Sequence, residues 1–188
     1  EDKKIDALKN IEITEKKLQL KSNEIDNMIL TTLALYSPEA KDLRQLVSYL
    51  KITNELVRTG SNAKDFAKMF KKSYSDDLNT SMILEYAIPL LRSALLSLQT
   101  SISIIDETNP NHIEEKYHRV IVEESKTDDL YLMIEKNILK LISKNLDLSK
   151  EYFDILSALR RLEKIADRAV SISNLLHFAQ VGGDMVQS

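Results

Sequence analysis

Two pairs of acidic residues in the second half of the sequence have the types and spacing needed for metal chemistry. Glu124 and Asp128 form one Glu-x-x-x-Asp pair, and Glu163 and Asp167 form the other. Residues four apart in an α-helix lie one turn apart on the same face. Each pair therefore presents two carboxylates together. Like charges at this spacing destabilise a helix by roughly a few tenths of a kcal/mol unless a positive charge compensates them.

Two sources of compensating positive charge are compatible with the sequence. If the two helices are neighbours, four carboxylates converge, and carboxylate oxygens are ligands for iron, zinc, manganese or magnesium. The other source is the basic residues beside the second pair, since charged runs usually cover a solvated helix face; these are Arg160, Arg161 and Lys164. Both interpretations stay open at this point. Glu123 and Asp129, which adjoin the first pair, are weaker candidate ligands.

The segment around the second acidic pair has a degenerate copy upstream. Residues 49–63 align without a gap with residues 155–169, and a second similarity, between residues 16–20 and 125–129, precedes each copy. A repeat with a period near half the chain predicts two similar helical units that pack together.

The upstream copy has lost most of its acidic side chains. Val57 and Ser61 stand where the downstream copy has Glu and Asp, and on the preceding helix Glu15 remains while Gln19 replaces the second carboxylate. Valine cannot bind a cation, serine is a poor ligand, and the surviving Glu55 does not hold a cluster alone. We therefore predict a metal site in the second half only.

Composition points to a protein built from long helices. The sequence has 188 residues, of which only three are glycine and three proline, so turn-forming residues are scarce. The net charge is −3 without a basic tail, which argues against nucleic acid as a partner. Cysteine is absent, which excludes disulfides and thiolate metal sites. We find no signal-peptide pattern and no apolar run long enough to span a membrane, and we expect a cytoplasmic protein.

Apolar periodicity predicts an all-α fold of two tandem, antiparallel three-helix bundles side by side. The first bundle, residues 1–72, is expected to lack much of one helix at its N-terminus. Residues 73–79 form the predicted linker, and residues 80–188 form the second bundle. Within these units we interpret residues 21–23 as either a break or an exposed turn of helix, and we expect a helix start near Pro38, a kink or new start at Pro89 and an N-cap at Ser149. Gly60, inside a helix, predicts a close helix–helix contact.

Four segments in the same order resemble a known family. Residues 162–167 resemble the repeated LERIGD signature of the PhoU family, and residues 38–44 resemble its P-x-x-x-DLR segment. Residues 124–131 resemble its D-x-x-V-D-x-L-Y helix, and residues 181–184 resemble the VGGD that closes some members. Together these segments extend from about residue 15 to residue 184.

The resemblance implies a site, a function and partners. It implies a multinuclear iron or zinc cluster on Glu124, Asp128, Glu163 and Asp167, with magnesium or manganese as further options. It implies a regulator that joins the ATPase subunit of the phosphate ABC transporter to a phosphate-sensing histidine kinase and represses the phosphate-starvation response. Homodimers are plausible for the family, and membrane association would occur only through the partners.

Two other functions stay open. One is a helical bundle that stores metal or uses it for redox chemistry. The other is a PhoU-like domain of a phosphate transporter, although the VGGD-like ending favours a stand-alone protein. An enzyme is not expected, because a di-iron bundle enzyme needs Glu-x-x-His on two helices. The three histidines, His112, His118 and His177, are interpreted as surface or packing residues.

Overall fold

Five long helices make up the computed structural model, which describes residues 2–75 and 77–183. Of residues 2–9 and Ile13, only the backbone is described. The helices are α1 (Asp2–Tyr36), α2 (Ala40–Ser73), α3 (Thr80–Ile102), α4 (Pro110–Lys144) and α5 (Ser149–Gln180). A single 3₁₀ turn, Leu146–Leu148, precedes α5. The prediction of an all-α helical bundle is confirmed.

Helix α5 is the centre of the molecule. It packs against α2, α3 and α4, whereas α1 packs against α2 alone. The second half is thus a three-helix bundle of α3, α4 and α5, and the described part of the first half is a pair of helices. The main core lies inside the three-helix bundle and includes fully buried side chains from each helix: Ile83, Leu90, Ile134, Ile138, Ile155 and Leu159. The contact of α2 with α5 joins the two halves.

Several helix boundaries differ from the sequence-based expectation. Helix α1 continues through residues 21–23, so of the two interpretations of this stretch the helical turn is confirmed and the break is wrong. Helix α2 begins at Ala40, two residues after Pro38, and Ser37 and Ala40 on either side of this proline have positive φ angles of 45° and 44°, outside the right-handed helical region. Pro89 lies inside α3, so the helix does not restart there. The polar segment between α2 and α3 spans residues 74–79.

The predicted N-cap at Ser149 is wrong. Asn145 accepts a hydrogen bond from the Asp147 amide and caps the 3₁₀ turn instead. That turn leads directly into α5, so Ser149 already has helical angles of −60° and −39°. Leu148 occupies the capping position and makes no side-chain cap. The 3₁₀ turn, which is itself capped by Asn145, therefore precedes the first turn of α5 in place of a side-chain N-cap.

Helix α3 is more apolar than we expected from the sequence. Within the part of the chain that the structure describes, it is the one helix long and apolar enough to cross a membrane, with a mean hydropathy of 1.3 over its best window. The reason is that both of its faces carry apolar side chains. Ile83 and Leu90 are fully buried, while Ile88 and Leu95 on the outer flank are 44% and 50% exposed. A core helix of a soluble protein passes the same test, so this finding is weak evidence of a span.

Gly60 lies where α2 approaches α1 closely, as its position in a helix predicted. A Cβ atom built on Gly60 would lie 2.8 Å from Cδ2 of Leu18. Real Cβ atoms do not make contacts this short, so any side chain at position 60 must displace the end of Leu18. The glycine is therefore explained by packing rather than by backbone conformation.

We expect Gly60→Ala to be nearly neutral, although alanine normally stabilises a helix by about 1 kcal/mol over glycine. Movement of Leu18 should offset that gain. In a Leu18→Ala background, where the obstructing methyl group is absent, the same change should raise the free energy of unfolding by about 1 kcal/mol. Urea denaturation of the four proteins of this cycle measures both effects. An equal gain in the two backgrounds would contradict the packing explanation.

Candidate metal centre

Helices α4 and α5 bring three of the four predicted ligands together. Glu124 and Asp128 lie one turn apart on α4 and face Asp167 on α5, with one carboxylate oxygen from each residue within 4.8 Å of the other two. All three side chains are half-buried. Three oxygens at these separations can contact one cation at the same time. The sequence pattern placed each pair on one helix face, and the packing of α4 against α5 makes the faces meet.

Glu163, the fourth predicted ligand, lies at the edge of this group. Its Oε2 atom is 3.1 Å from Nε of Arg160, one turn earlier on α5. The residue is only 8% exposed, and the same oxygen has no hydrogen-bond partner of good geometry. Arg160 also lies over the ring of Tyr131, 4.9 Å from its centroid. The basic neighbour considered from the sequence thus reaches Glu163.

The three clustered carboxylates have no such partner. In the described ranges, no ion pair reaches Glu124, Asp128 or Asp167. Oδ1 of Asp128 is buried and accepts no hydrogen bond. A buried carboxylate oxygen without a partner costs about 1–3 kcal/mol. An orphaned oxygen inside an acidic group is the condition that a bound cation would relieve, so the donor set is compatible with a hard or borderline metal ion.

The electrostatics of the cluster agree with this geometry. Burial raises the pKa of Glu124, and the charges of Asp128 and Asp167 raise it further. Burial and the neighbouring Asp167 also raise the pKa of Asp128, against a smaller opposing effect of Arg160. The pKa of Glu163 is raised by the same two causes. Glu124, Asp128 and Glu163 are therefore harder to ionise in the folded protein than in the unfolded chain.

The raised carboxyl pKa values determine the direction in which the free energy of unfolding changes with pH. The folded state binds these protons more tightly than the unfolded state, so their contribution to stability is lost as pH rises from the unfolded pKa through the folded one. With a chelator present, we expect Asp128→Asn to be more stable than the wild type at pH 7, because the amide carries no charge for burial and Asp167 to disfavour. The difference should shrink towards pH 4.

Denaturant titrations at several pH values measure this difference. Glu115→Gln is the matched control, because Glu115 is an exposed residue of the same helix. It should leave the wild-type pH profile unchanged. A wild type that is as stable as Asp128→Asn at pH 7 would contradict the inferred repulsion.

The two lower-ranked residues do not join the group. Glu123 forms an ion pair of 3.6 Å with Lys126 on the same helix. Asp129 is exposed. Neither contributes an atom to the three-oxygen cluster. Helical geometry explains this, because positions 123 and 129 are each rotated about 100° around α4 from the adjacent ligand.

In the first half, the acidic residues Glu15 and Glu55 contact basic side chains. Ser61 donates a hydrogen bond of 3.3 Å to Oε1 of Glu15, and Nζ of Lys64 lies 2.9 Å from that same oxygen. Glu55 accepts a hydrogen bond of 3.1 Å from Arg168 of α5. Glu15 and Glu55 therefore already have a positive partner from the protein itself.

Sequence reasoning missed a carboxylate that contacts two histidines. Glu114 lies 3.0 Å from Nε2 of His118 through one oxygen and 2.9 Å from Nε2 of His177 through the other. The ring of Tyr117 packs against both imidazoles, with centroids 5.7 Å and 5.1 Å away. The four-residue spacing of Glu114 and His118 was visible in the sequence, but the approach of His177 from α5 was not. His112 lies 3.7 Å from Glu107 and takes no part.

The closing VGGD-like segment is only partly described. Gly182 and Gly183 have φ angles of 93° and 92°. A Cβ on Gly182 would meet the guanidinium of Arg44 at 3.5 Å, so the segment lies beside the DLR part of α2. Asp184 lies outside the described residues.

Comparisons with known proteins bear on the family. The model of the PhoU domain matches residues 1–70 and 90–176. A phosphate-specific transport system accessory protein PhoU homolog from Clostridium acetobutylicum is 25% identical over 150 residues, which are 79% of this chain and 66% of that protein. The chain thus spans slightly less than two thirds of that relative's length.

A solved structure agrees in fold. The crystal structure of PhoU from Pseudomonas aeruginosa superposes with a TM-score of 0.71 at 20% identity, covering 94% of this chain and 82% of that one. At this identity the likeness concerns the fold alone. The family model, by contrast, covers well over half of the sequence and both of its halves. The chain belongs to the PhoU domain family.

Proposed function

We propose that this protein regulates phosphate uptake as an adaptor between the ATPase subunit of a phosphate ABC transporter and a phosphate-sensing histidine kinase. The observation that carries the proposal is the match of the PhoU domain to both halves of the chain. The relative from Clostridium acetobutylicum is named an accessory protein of the phosphate-specific transport system, which supports the same assignment. The proposed location is the cytoplasm, with access to the membrane through these partners.

The proposal includes a cation on the second half. Glu124, Asp128 and Asp167 would hold it, and Glu163 would join them if it exchanged Arg160 for the metal. Iron or zinc is the proposed ion, and magnesium or manganese would use the same oxygen ligands. When bound, the cation would neutralise the mutual repulsion of the carboxylates and tie α4 to α5. This chain's residues then supply a structural link between two helices rather than a reaction centre.

A pull-down with the whole chain as bait tests the adaptor role. The purified transporter ATPase and the cytoplasmic part of the kinase are each offered separately, with and without added zinc(II) or iron(II). We expect both partners to be retained by the wild type and neither by an unrelated acidic helical protein. Retention of neither partner under any condition would contradict the adaptor proposal.

A metal-loading experiment addresses the alternative of a storage bundle. An adaptor with one carboxylate site should bind a small, fixed number of metal ions per chain and saturate. Elemental analysis after iron(II) loading and dialysis would show stoichiometric uptake in that case. Uptake that continues to many ions per chain would favour storage instead.

A further inference from the structure

We propose that Lys64 supplies, in the first half of the protein, the positive charge that a bound cation would supply in the second. The first half would then be fixed without metal, and only the second half would respond to one. This inference rests on the proposed cation site and identifies the residue that decides which half takes a metal.

Glu15 and Ser61 of the first half occupy positions equivalent to two proposed ligands of the second half. In the alignment of the two copies, Glu15 corresponds to Glu124 and Ser61 to Asp167. The structure keeps this relation across each helix pair. Ser61 of α2 donates its hydrogen bond to Glu15 of α1, just as Asp167 of α5 lies beside Glu124 of α4. The two sites therefore bring equivalent positions into contact, although the first site has only one of the acidic side chains.

Lys64 places an ammonium group at the first site. Its Nζ atom is 2.9 Å from Oε1 of Glu15, the oxygen that also accepts the hydrogen bond from Ser61. The two side chains are 26% and 13% exposed, so the pair is largely shielded from water. The hydrogen bond with Lys64 lowers the pKa of Glu15, and the same bond raises the pKa of Lys64. Both groups are thus held in their charged forms.

The second site has no lysine at the position equivalent to Lys64. The position that corresponds to Lys64 is Val170, which carries no charge. Oδ1 of Asp128 is left buried without a partner, whereas no oxygen of Glu15 is among the unpartnered buried atoms of the described residues. The Glu15 carboxylate of the first site is therefore neutralised by Lys64, whereas the clustered carboxylates of the second site have no ion-pair partner among the described residues.

Converting the first site into a copy of the second tests the proposal. The background is Asp128→Asn/Asp167→Asn, which removes two ligands of the second site so that metal binding by the first half can be measured. To this background we add Gln19→Asp, Ser61→Asp and Lys64→Val. The comparison protein carries Gln19→Asp and Ser61→Asp but keeps Lys64. Calorimetric titration with zinc(II) should give binding to the first protein that is at least 10-fold tighter than binding to the second.

Equal zinc affinity in these two proteins, or no zinc binding in either, would overturn the role of Lys64. Metal binding by the second site is measured separately, in the wild type, so the two proposals can fail independently. If the wild type binds no metal but the converted protein does, the proposed cation site fails, and only the part of the inference that concerns Lys64 as the residue excluding a cation from the first half is retained. If the wild type binds metal and the converted protein does not, the reverse holds.

A stability measurement checks the wild-type role of Lys64. Lys64→Met keeps the length of the side chain but removes its charge, and we expect it to lower the melting temperature by at least about 3 °C. Glu15→Gln in the same background should recover most of that loss. The control is Lys68→Met, because the neighbouring Lys68–Glu12 pair is 52% and 44% exposed and should matter little. Equal losses from Lys64→Met and Lys68→Met would contradict the proposal.

Discussion

Replacing Asp128 and Asp167 together by asparagine is expected to abolish stoichiometric metal binding while stabilising the metal-free protein. Asparagine keeps the shape of each side chain but removes the negative charge that a cation needs. Because Asp128 and Asp167 contribute two of the three clustered oxygens, Glu124 alone should not retain the ion. The two effects of the change therefore have opposite signs, which a merely disruptive mutation would not produce.

The expected size of the stabilisation by a bound metal ion follows from its concentration relative to its dissociation constant. A ligand at 100 times its dissociation constant stabilises the folded state by about 2.7 kcal/mol. For a chain of this size, that corresponds to a rise in melting temperature of roughly 5–10 °C. We expect this rise for the wild type with iron(II) or zinc(II) and none for the double variant. In a chelator, the variant should melt at the higher temperature.

Elemental analysis of dialysed protein accompanies the thermal melts. Glu163→Ala alone tests the outer ligand in the same way, and Glu115→Gln serves as an exposed acidic control on α4. Equal metal content in the wild type and in Asp128→Asn/Asp167→Asn would refute the site. Absence of metal from the wild type after loading would do the same, and the adaptor role would then depend on fold and partners alone.

Leu159→Ala should cause one of the largest losses of stability of any single truncation in this chain. Leu159 is completely buried on α5, the helix that contacts all three of α2, α3 and α4. Deleting a buried leucine side chain to alanine costs about 2–5 kcal/mol, since it removes apolar contacts and leaves a cavity. The surrounding side chains come from several helices, which limits how far the cavity can collapse.

Urea denaturation measures this loss as a lower midpoint with an unchanged slope. The matched control is Leu95→Ala, because Leu95 is a leucine of the same bundle that is 50% exposed. It should change the free energy of unfolding by less than about 1 kcal/mol. Similar losses for the two variants would mean that the core does not lie where α5 packs on its neighbours.

Local sequence patterns predicted the class of fold and the contents of each helix face. The scarcity of glycine and proline and the apolar spacing indicate long helices, and five long helices are present. The boundaries were less predictable where neighbouring turns competed, as the replacement of Ser149 by Asn145 as the capping residue shows. The apolar outer flank of α3 was missed, because no uninterrupted apolar run marks it.

The candidate site could be predicted only in part, for a geometric reason. Spacing along one helix fixes the angle of a side chain around that helix, so the pairs 124/128 and 163/167 follow from sequence. It does not fix how far two helices slide past each other. That axial offset is what places Asp167 among the α4 carboxylates and leaves Glu163 with Arg160.

By itself, the sequence determined an all-α protein with a repeated segment, of which only the second copy has both Glu-x-x-x-Asp pairs. Tertiary structure alone decided which charges meet. Lys64 lies 49 positions from Glu15, and Arg168 lies 113 positions from Glu55, yet each pair is in contact. Such pairs depend on the packing of α2 against α1 and α5, and helical periodicity carries no information about contacts between separate helices.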